Sequence, residues 1–175
     1  MINKPKRLST KQIHTNFVCD IGDDYVLLSD LETKPLLISN KNAPDIIYKV
    51  YVYNCTNPPG GRQIDEYKIQ LKIPGQHEKE RGFLDETDGT IILLVGFANY
   101  DTEENGVWII WETKRHMSFA YNANLQVKMG MLIDTITKKV FYVKKRGNGE
   151  TVVVSDRKNL SAAIKLREKI DLGIL

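Results

Sequence analysis

Two long polar loops each follow an apolar segment, and their side chains are of the types that hydrogen-bond to nucleic acid. Arg and Lys donate to guanine and to phosphate oxygens, whereas the amides of Asn and Gln match adenine. The candidate DNA-contacting residues are Asn54, Thr56, Asn57, Arg62 and Gln63 in the first loop, and Lys114, Arg115, His116, Ser118, Tyr121, Asn122 and Asn124 in the second. Surface loops are polar in most proteins, so their composition leaves a merely solvated surface as an equal alternative.

A basic turn could add contacts to phosphate. Lys144 and Lys145 lie beside Arg146, between two apolar segments and just before Gly-Asn-Gly. Basic side chains donate to phosphate oxygens whatever the base sequence. Lys144 and Lys145 therefore join the candidate DNA-binding residues, although a basic turn is more often only solvated.

Two Glu-x-Lys patterns would suit a different chemistry, the magnesium-dependent hydrolysis of DNA. They are Glu66-Tyr67-Lys68 and Glu112-Thr113-Lys114. In a strand the first and third residues share a face, and Asp88 or Asp101 could supply a second carboxylate for a PD-(D/E)XK-type site that uses Glu112 and Lys114. The pattern is common by chance, and the flanking helices of such nucleases are not predicted between residues 74 and 107. Catalysis is therefore the alternative hypothesis.

Composition excludes several classes of protein. The chain has 175 residues, of which 42% are hydrophobic and 27% are charged, as is typical of one globular domain. Its two cysteines and three scattered histidines lack the spacing of a zinc site, and no glycine-rich phosphate motif occurs, so we expect no metal and no cofactor. Without a long apolar run or a signal peptide, we expect a cytoplasmic protein with no membrane partner. The net charge of +3 neither indicates nor excludes nucleic acid.

Short apolar or alternating segments predict strands along most of the chain. The predicted strands are residues 25–28, 36–38, 46–53, 66–73, 90–97, 107–111, 140–143 and 151–154. Helical spacing predicts a helix over residues 125–136, with Asn122 or Asn124 as its N-cap, and a second over residues 157–170. The Gly-Asn-Gly turn predicts a hairpin between the last two strands.

These elements predict a mainly β fold with short helices. A small barrel or pseudo-barrel is favoured, because helices do not alternate with strands as they do in a parallel sheet. Residues 1–45 are the least periodic part and are expected to form N-terminal strands or an extension that packs on the barrel. Residues 46–175 then form the barrel and a C-terminal helix, all within one compact domain.

Three segments share a pattern with a known family. They are Gly61-Arg62-Gln63-Ile64-Asp65-Glu66-Tyr67-Lys68-Ile69-Gln70, Val107-Trp108-Ile109-Ile110-Trp111 and Asn124-Leu125-Gln126-Val127-Lys128. The pattern resembles the B3-like DNA-recognition domains of bacterial restriction endonucleases, of the type found as EcoRII and BfiI effector domains and in LlaJI-type, McrB-related proteins. The resemblance covers roughly residues 46–155.

The resemblance implies a seven-stranded open pseudo-barrel that binds double-stranded DNA. Two arms would clasp the major groove, an N-arm at residues 54–63 and a C-arm at residues 114–124. It further implies a site-specific target-recognition domain that is not itself an enzyme. Its parent would be a restriction endonuclease or a GTP-driven motor subunit, with other parts of that complex as partners. A nuclease and a protein-interaction domain remain the alternatives.

Overall fold

Eleven strands and three helices make up the regular structure of residues 6–57 and 63–175, the part of the chain that the computed structural model describes. The helices are α1 (Thr10–Ile21), α2 (Met129–Lys138) and α3 (Leu160–Asp171). The strands are β1 (Tyr25–Leu27), β2 (Leu36–Asn40), β3 (Ala43–Cys55), β4 (Glu66–Leu71), β5 (Gly82–Phe83), β6 (Ile91–Ala98), β7 (Val107–Trp111), β8 (Ser118–Phe119), β9 (Ala123–Lys128), β10 (Phe141–Lys145) and β11 (Thr151–Asp156). None of these helices is long and apolar enough to cross a membrane.

Seven of the strands form one mixed sheet in the order β1-β2-β3-β6-β7-β11-β10. The neighbours β3 and β6 run parallel, and the other neighbouring pairs are antiparallel. The sheet is not closed into a barrel, because β1 and β10 remain as its two edges. The structure thus confirms a mainly β fold with short helices, and it does not confirm a B3-like pseudo-barrel.

Both faces of the sheet are buried, because its central strands alternate apolar side chains between two cores. In β7, Trp108 and Ile110 belong to the core beneath α1 and α3, whereas Ile109 and Trp111 belong to the opposite core. That second core is covered by α2 and by an antiparallel pair of strands, β4 and β9. We call this pair the β4–β9 ribbon.

The apolar segments predicted the sheet strands correctly. The predicted strand at residues 46–53 lies within β3, and the one at residues 107–111 coincides with β7. The predicted hairpin is the antiparallel pair β10 and β11, and the C-terminal amphipathic segment forms α3. Local patterns of hydrophobicity were sufficient for these elements, because the apolar residues of the central strands, such as β7 and the second half of β3, are buried.

Helix α1 is an element that the sequence analysis missed. Its N-cap Ser9 accepts a hydrogen bond from the Gln12 N–H, while the Gln12 side chain accepts one from the Ser9 N–H, which is a capping box. Ile13, Phe17 and Ile21 follow at four-residue spacing and are buried against the sheet. The predicted strands at residues 25–28 and 36–38 correspond to β1 and β2, but this helix was not predicted, although the spacing and the box were present in the sequence.

The predicted helix over residues 125–136 was wrong in its first part. Leu125 and Val127 are buried in β9, which pairs with β4, and α2 begins only at Met129. The residue at the N-cap position is Lys128 and its side chain makes no capping bond, so neither Asn122 nor Asn124 is the cap. Pairing with β4 overrides the helical spacing here, and it turns Gln126 to the outer face of a strand.

Candidate nucleic-acid interface

The β4–β9 ribbon has one apolar face and one polar face. Its register places Lys68 opposite Gln126 and Gln70 opposite Asn124. The alternate residues Tyr67, Ile69, Leu71, Leu125 and Val127 are buried in the core. We call the outer set, Glu66, Lys68, Gln70, Asn124, Gln126 and Lys128, the ribbon face.

Three amides lie in the middle of the ribbon face. The side chains of Gln70, Asn124 and Gln126 make no hydrogen bond to any residue within 6–57 or 63–175. Lys68, which lies opposite Gln126, likewise has no acidic partner in these ranges. The pairing of β4 with β9 thus holds in register a row of amides and one ammonium group that no described residue occupies.

One end of the ribbon face is neutralised by its own ion pairs. The Lys128 ammonium donates to Gln63 at 2.5 Å and to Glu66 at 3.0 Å, and it lies 3.4 Å from Asp65. The hydrogen bond to Glu66 is the main reason that the pKa of Lys128 is raised. Of the two lysines on the ribbon face, Lys68 is therefore the one without an acidic partner among the described residues.

A basic cavity lies beside β4. Its volume is about 700 Å³, and its lining includes Arg7, Lys34, Lys68 and Lys72 together with the first residues of α1. Among the described residues no carboxylate lines it. We call it the Lys34 pocket.

A second basic cavity lies beside β9. It measures about 550 Å³, and its lining includes Lys144, Lys145 and Arg146 from the β10 end, with Gln126 from the ribbon face. Glu66 and Asp134 also line it, so its charge is mixed. Lys144 and Lys145 are exposed and make no ion pair with a described residue. We call it the β10 pocket. The ribbon face thus has the cations of the Lys34 pocket on one side and those of the β10 pocket on the other.

Three of the predicted residues in the first loop, Asn54, Asn57 and Gln63, are hydrogen-bonded to other residues of the protein. Asn54 Nδ2 donates to the Leu8 carbonyl, and the Leu8 N–H donates to Asn54 Oδ1, each at 2.9 Å. Asn57 donates to the carbonyls of Ile64 and Glu66. The Thr56 backbone pairs with Lys68, which leaves the exposed Thr56 side chain at the rim of the Lys34 pocket.

These contacts give the loop residues structural roles. Asn54 fastens the segment before α1, and Asn57 closes the loop back onto β4. Gln63 accepts the hydrogen bond from Lys128. Arg62, which was also predicted to contact DNA, lies outside the described residues.

The second predicted loop divides into two parts. Tyr121 accepts a hydrogen bond from Lys72 at 2.9 Å. Asn122 directly precedes β9, and Asn124 is the second residue of that strand. These three residues therefore adjoin the ribbon face. Ser118 accepts from Arg81 in the short β5–β8 pair. Lys114, Arg115 and His116 form a 3₁₀ turn that contacts the end of α3 and the β10–β11 turn.

His116 belongs to a buried clamp. Glu150 is only 1% exposed, and it accepts hydrogen bonds from His116 at 2.7 Å and from Arg146 at 2.8 Å. Burial raises the pKa of the Glu150 carboxyl, but the hydrogen bond and charge of His116, together with Arg146, outweigh burial and leave that pKa below its ordinary value. The clamp fixes the turn that follows Lys144 and Lys145.

The clamp gives a testable pH dependence. A carboxyl whose pKa is depressed in the folded state stabilises the protein above its ordinary pKa, and that stability is lost as pH falls through the folded value. We expect Glu150→Gln to cost about 2 kcal/mol at pH 7, because His116 and Arg146 lose a buried partner. Urea unfolding at pH 7 and pH 3.5 should show the difference from wild type shrinking in acid. An equal difference at both values would assign Glu150 no electrostatic role.

The hypothetical nuclease site is not assembled. Glu112 accepts a hydrogen bond from the Thr151 N–H at 3.0 Å and pairs with Arg115, while Lys114 donates to the Asp171 carbonyl. Asp88 pairs with Lys49, and Asp101 accepts from Asn105. Within residues 6–57 and 63–175 no group of three or more His, Cys, Asp or Glu side chains could hold a metal ion. The geometry gives the nuclease hypothesis no support.

Several residues of this surface were not predicted to bind. They are Lys34, Lys68, Gln70, Lys72 and Gln126. The alternation of β4 already placed Lys68 and Gln70 on one face, so the sequence could have indicated them. Gln126 was hidden by the helix prediction, and Lys34 comes from a distant segment that only the tertiary fold brings to the ribbon.

Comparison with known proteins gives one match. A family model described as methylase-associated X1 matches residues 46–164, from within β3 to the first turn of α3. The matched range includes the whole β4–β9 ribbon and the strands of the β10 pocket. No curated protein and no solved structure matches the chain.

Proposed function

Since the chain belongs to the methylase-associated X1 family, we propose that it is a double-stranded DNA-recognition module of a restriction-modification system. The family description indicates a restriction-modification role. The observation that supports DNA as the ligand is the ribbon face, whose three amides lie between two basic cavities and have no hydrogen-bond partner in the described part of the chain. Site-specific recognition and the absence of catalysis by this chain are part of the proposal.

The ribbon face suits the major groove. That groove is about 12 Å wide and accepts a two-stranded β-ribbon. Gln70, Asn124 and Gln126 are the side chains suited to pair with adenine, and Lys68 is suited to guanine. The proposal therefore assigns the base contacts to the ribbon. It places the two loops, which the resemblance implied to be the DNA-clasping arms, at the margins of the ribbon.

The flanking cations suit the phosphate backbone on either side of the groove. Lys72 and Lys144 lie beside opposite strands of the ribbon, and each lines one of the two basic cavities. Contacts to phosphate fix the orientation of a protein on the duplex without specifying sequence. Thr56 at the rim of the Lys34 pocket and Tyr121 beside Lys72 are further hydroxyl donors suited to the backbone.

Binding should depend strongly on salt. Roughly five phosphate contacts would give a slope of log affinity against log salt near −4 to −5, because each contact releases condensed counterions. Fluorescence anisotropy with a labelled duplex from 50 to 300 mM KCl measures this slope. Selection of bound duplexes from a random pool then identifies the preferred site.

The control for this measurement is Lys169→Gln. Lys169 is exposed on α3, on the far side of the sheet from the ribbon, so its loss should leave the slope unchanged. A flat salt response in the wild-type protein would point instead to a protein partner. Cleavage of plasmid by the wild-type chain with Mg²⁺, lost in a Glu112→Ala and Lys114→Ala variant, would establish the nuclease alternative.

A further inference from the structure

We propose that the Lys34 pocket binds a phosphate group, presented by the backbone of duplex DNA or by a free phosphorylated molecule. The backbone source rests on the function proposed above. The pocket itself is inferred from its lining residues and their charges, so either of the two proposals can fail without the other.

The Lys34 ammonium group packs on an aromatic ring. Its Nζ lies 3.6 Å from the centroid of the Tyr53 ring. It makes no hydrogen bond and no ion pair with any residue that the structure describes. A cation–π contact offsets only part of the cost of removing an ammonium from water. An anion bound beside Lys34 would offset the rest of that cost.

The other cations of the pocket come from separate parts of the chain. Arg7 precedes α1, Lys68 lies in β4, and Lys72 follows β4. No carboxylate among the described residues lines the cavity to balance them. The charge of Arg7 acts directly on the Lys34 ammonium, and the repulsion between like charges is relieved when a phosphate oxygen lies between them.

The start of α1 adds to the positive potential. Ser9 and Thr10 line the cavity, so the positive end of the helix dipole faces it. The Ser9 hydroxyl already accepts from the Gln12 N–H. The helix therefore reinforces a site that the four side chains define.

Lys34 makes this site sensitive to pH. Burial, with a further contribution from the charge of Arg7, lowers the pKa of the Lys34 ammonium to about 8. Among the residues that the structure describes, the other charged or titratable groups facing the cavity are Arg7, Tyr53, Lys68 and Lys72. Because the positive form is lost as pH rises through 8, phosphate binding should weaken between pH 7 and pH 9.5.

The main experiment compares two substitutions at Lys34. Lys34→Gln should weaken duplex binding about tenfold at pH 7 and make the salt slope shallower by about 1, without changing base preference. Lys34→Arg should keep affinity at pH 7 and abolish the weakening at pH 9.5, because its charge does not titrate in this range. Lys169→Gln is the charge-matched control, and thermal melting confirms that each variant is folded.

A second experiment identifies the source of the phosphate. Inorganic phosphate is titrated into wild type and Lys34→Gln without DNA, with amide chemical shifts of the pocket residues as the measurement. Saturable shifts that need Lys34, with duplex affinity also dependent on Lys34, support a backbone phosphate. The same shifts with duplex affinity independent of Lys34 support a free phosphorylated ligand.

The proposal is overturned if neither measurement depends on Lys34. If alanine substitution of Gln70, Asn124 and Gln126 still lowers affinity for the preferred duplex in that case, the DNA-recognition function stands and only the pocket is rejected. If the wild-type chain binds phosphate through Lys34 but no duplex, the pocket stands and the DNA function is rejected.

Discussion

Replacing Gln70, Asn124 and Gln126 together with alanine should remove the sequence preference of the protein while leaving its general affinity for DNA. Each bidentate contact between an amide and a base is worth about 1–3 kcal/mol at one position. Three lost contacts should therefore lower affinity for the preferred duplex by at least about 100-fold. Affinity for unrelated duplexes should change by less than about twofold, because the flanking cations are unaltered.

The measurement is competition binding with a panel of single-base variants of the selected site. Asn42→Ala is the matched control, because Asn42 is an exposed amide in the turn between β2 and β3, away from the ribbon. The single variants should each relax preference at a different base position. If the triple variant keeps the wild-type order of preference, the ribbon face does not contact bases and the major-groove proposal is rejected.

Most strands of the sheet could be predicted from the sequence because their pattern is local. Residues 107–111 are apolar throughout, and the structure buries both faces of β7. Their order in the sheet could not be predicted in the same way. The parallel pairing of β3 with β6 joins segments that are separated in sequence by strands β4 and β5 and their loops, and no short-range pattern specifies such a partner.

The candidate site was harder to predict than the fold, since polar residues in loops and polar residues on a strand have the same composition. Asn54 was predicted to contact DNA, yet its amide donates to and accepts from the Leu8 backbone. Gln126 appeared to lie on a helix, yet pairing with β4 places it opposite Lys68. Whether a polar side chain has a partner is a tertiary property, and sequence spacing alone does not contain it.

The reason for a glycine at position 96 is visible only in the fold. Gly96 interrupts an otherwise apolar strand, and a Cβ atom there would lie 2.7 Å from the Trp111 ring. The Trp111 ring thus packs directly on the backbone of β6, on the side of the sheet that the ribbon covers. The sequence showed the glycine within the strand without indicating the ring that requires it.

The opposite side of the sheet depends on Trp108, which is completely buried between Phe17 of α1 and Phe97 of β6. Its indole N–H donates to Asp20 at 2.8 Å, and Asp20 also pairs with Arg157 at 2.7 Å. This network fastens α1, the helix that the sequence analysis missed, to the sheet and to the segment before α3. Its role is in stability, since none of these side chains lines either basic pocket.

We therefore expect Trp108→Ala to cost about 3–5 kcal/mol, because it leaves a cavity and removes the donor to Asp20. For a chain of this size the melting temperature should fall by roughly 6–20 °C. Urea and thermal unfolding measure the loss, with the exposed Lys169→Gln as the reference variant. Base preference, measured at low temperature where the variant remains folded, should stay as in wild type, because the ribbon face lies across the sheet. A stability loss below about 1 kcal/mol, or an altered base preference in the folded variant, would contradict this division between a stabilising side and a DNA-binding side of the sheet.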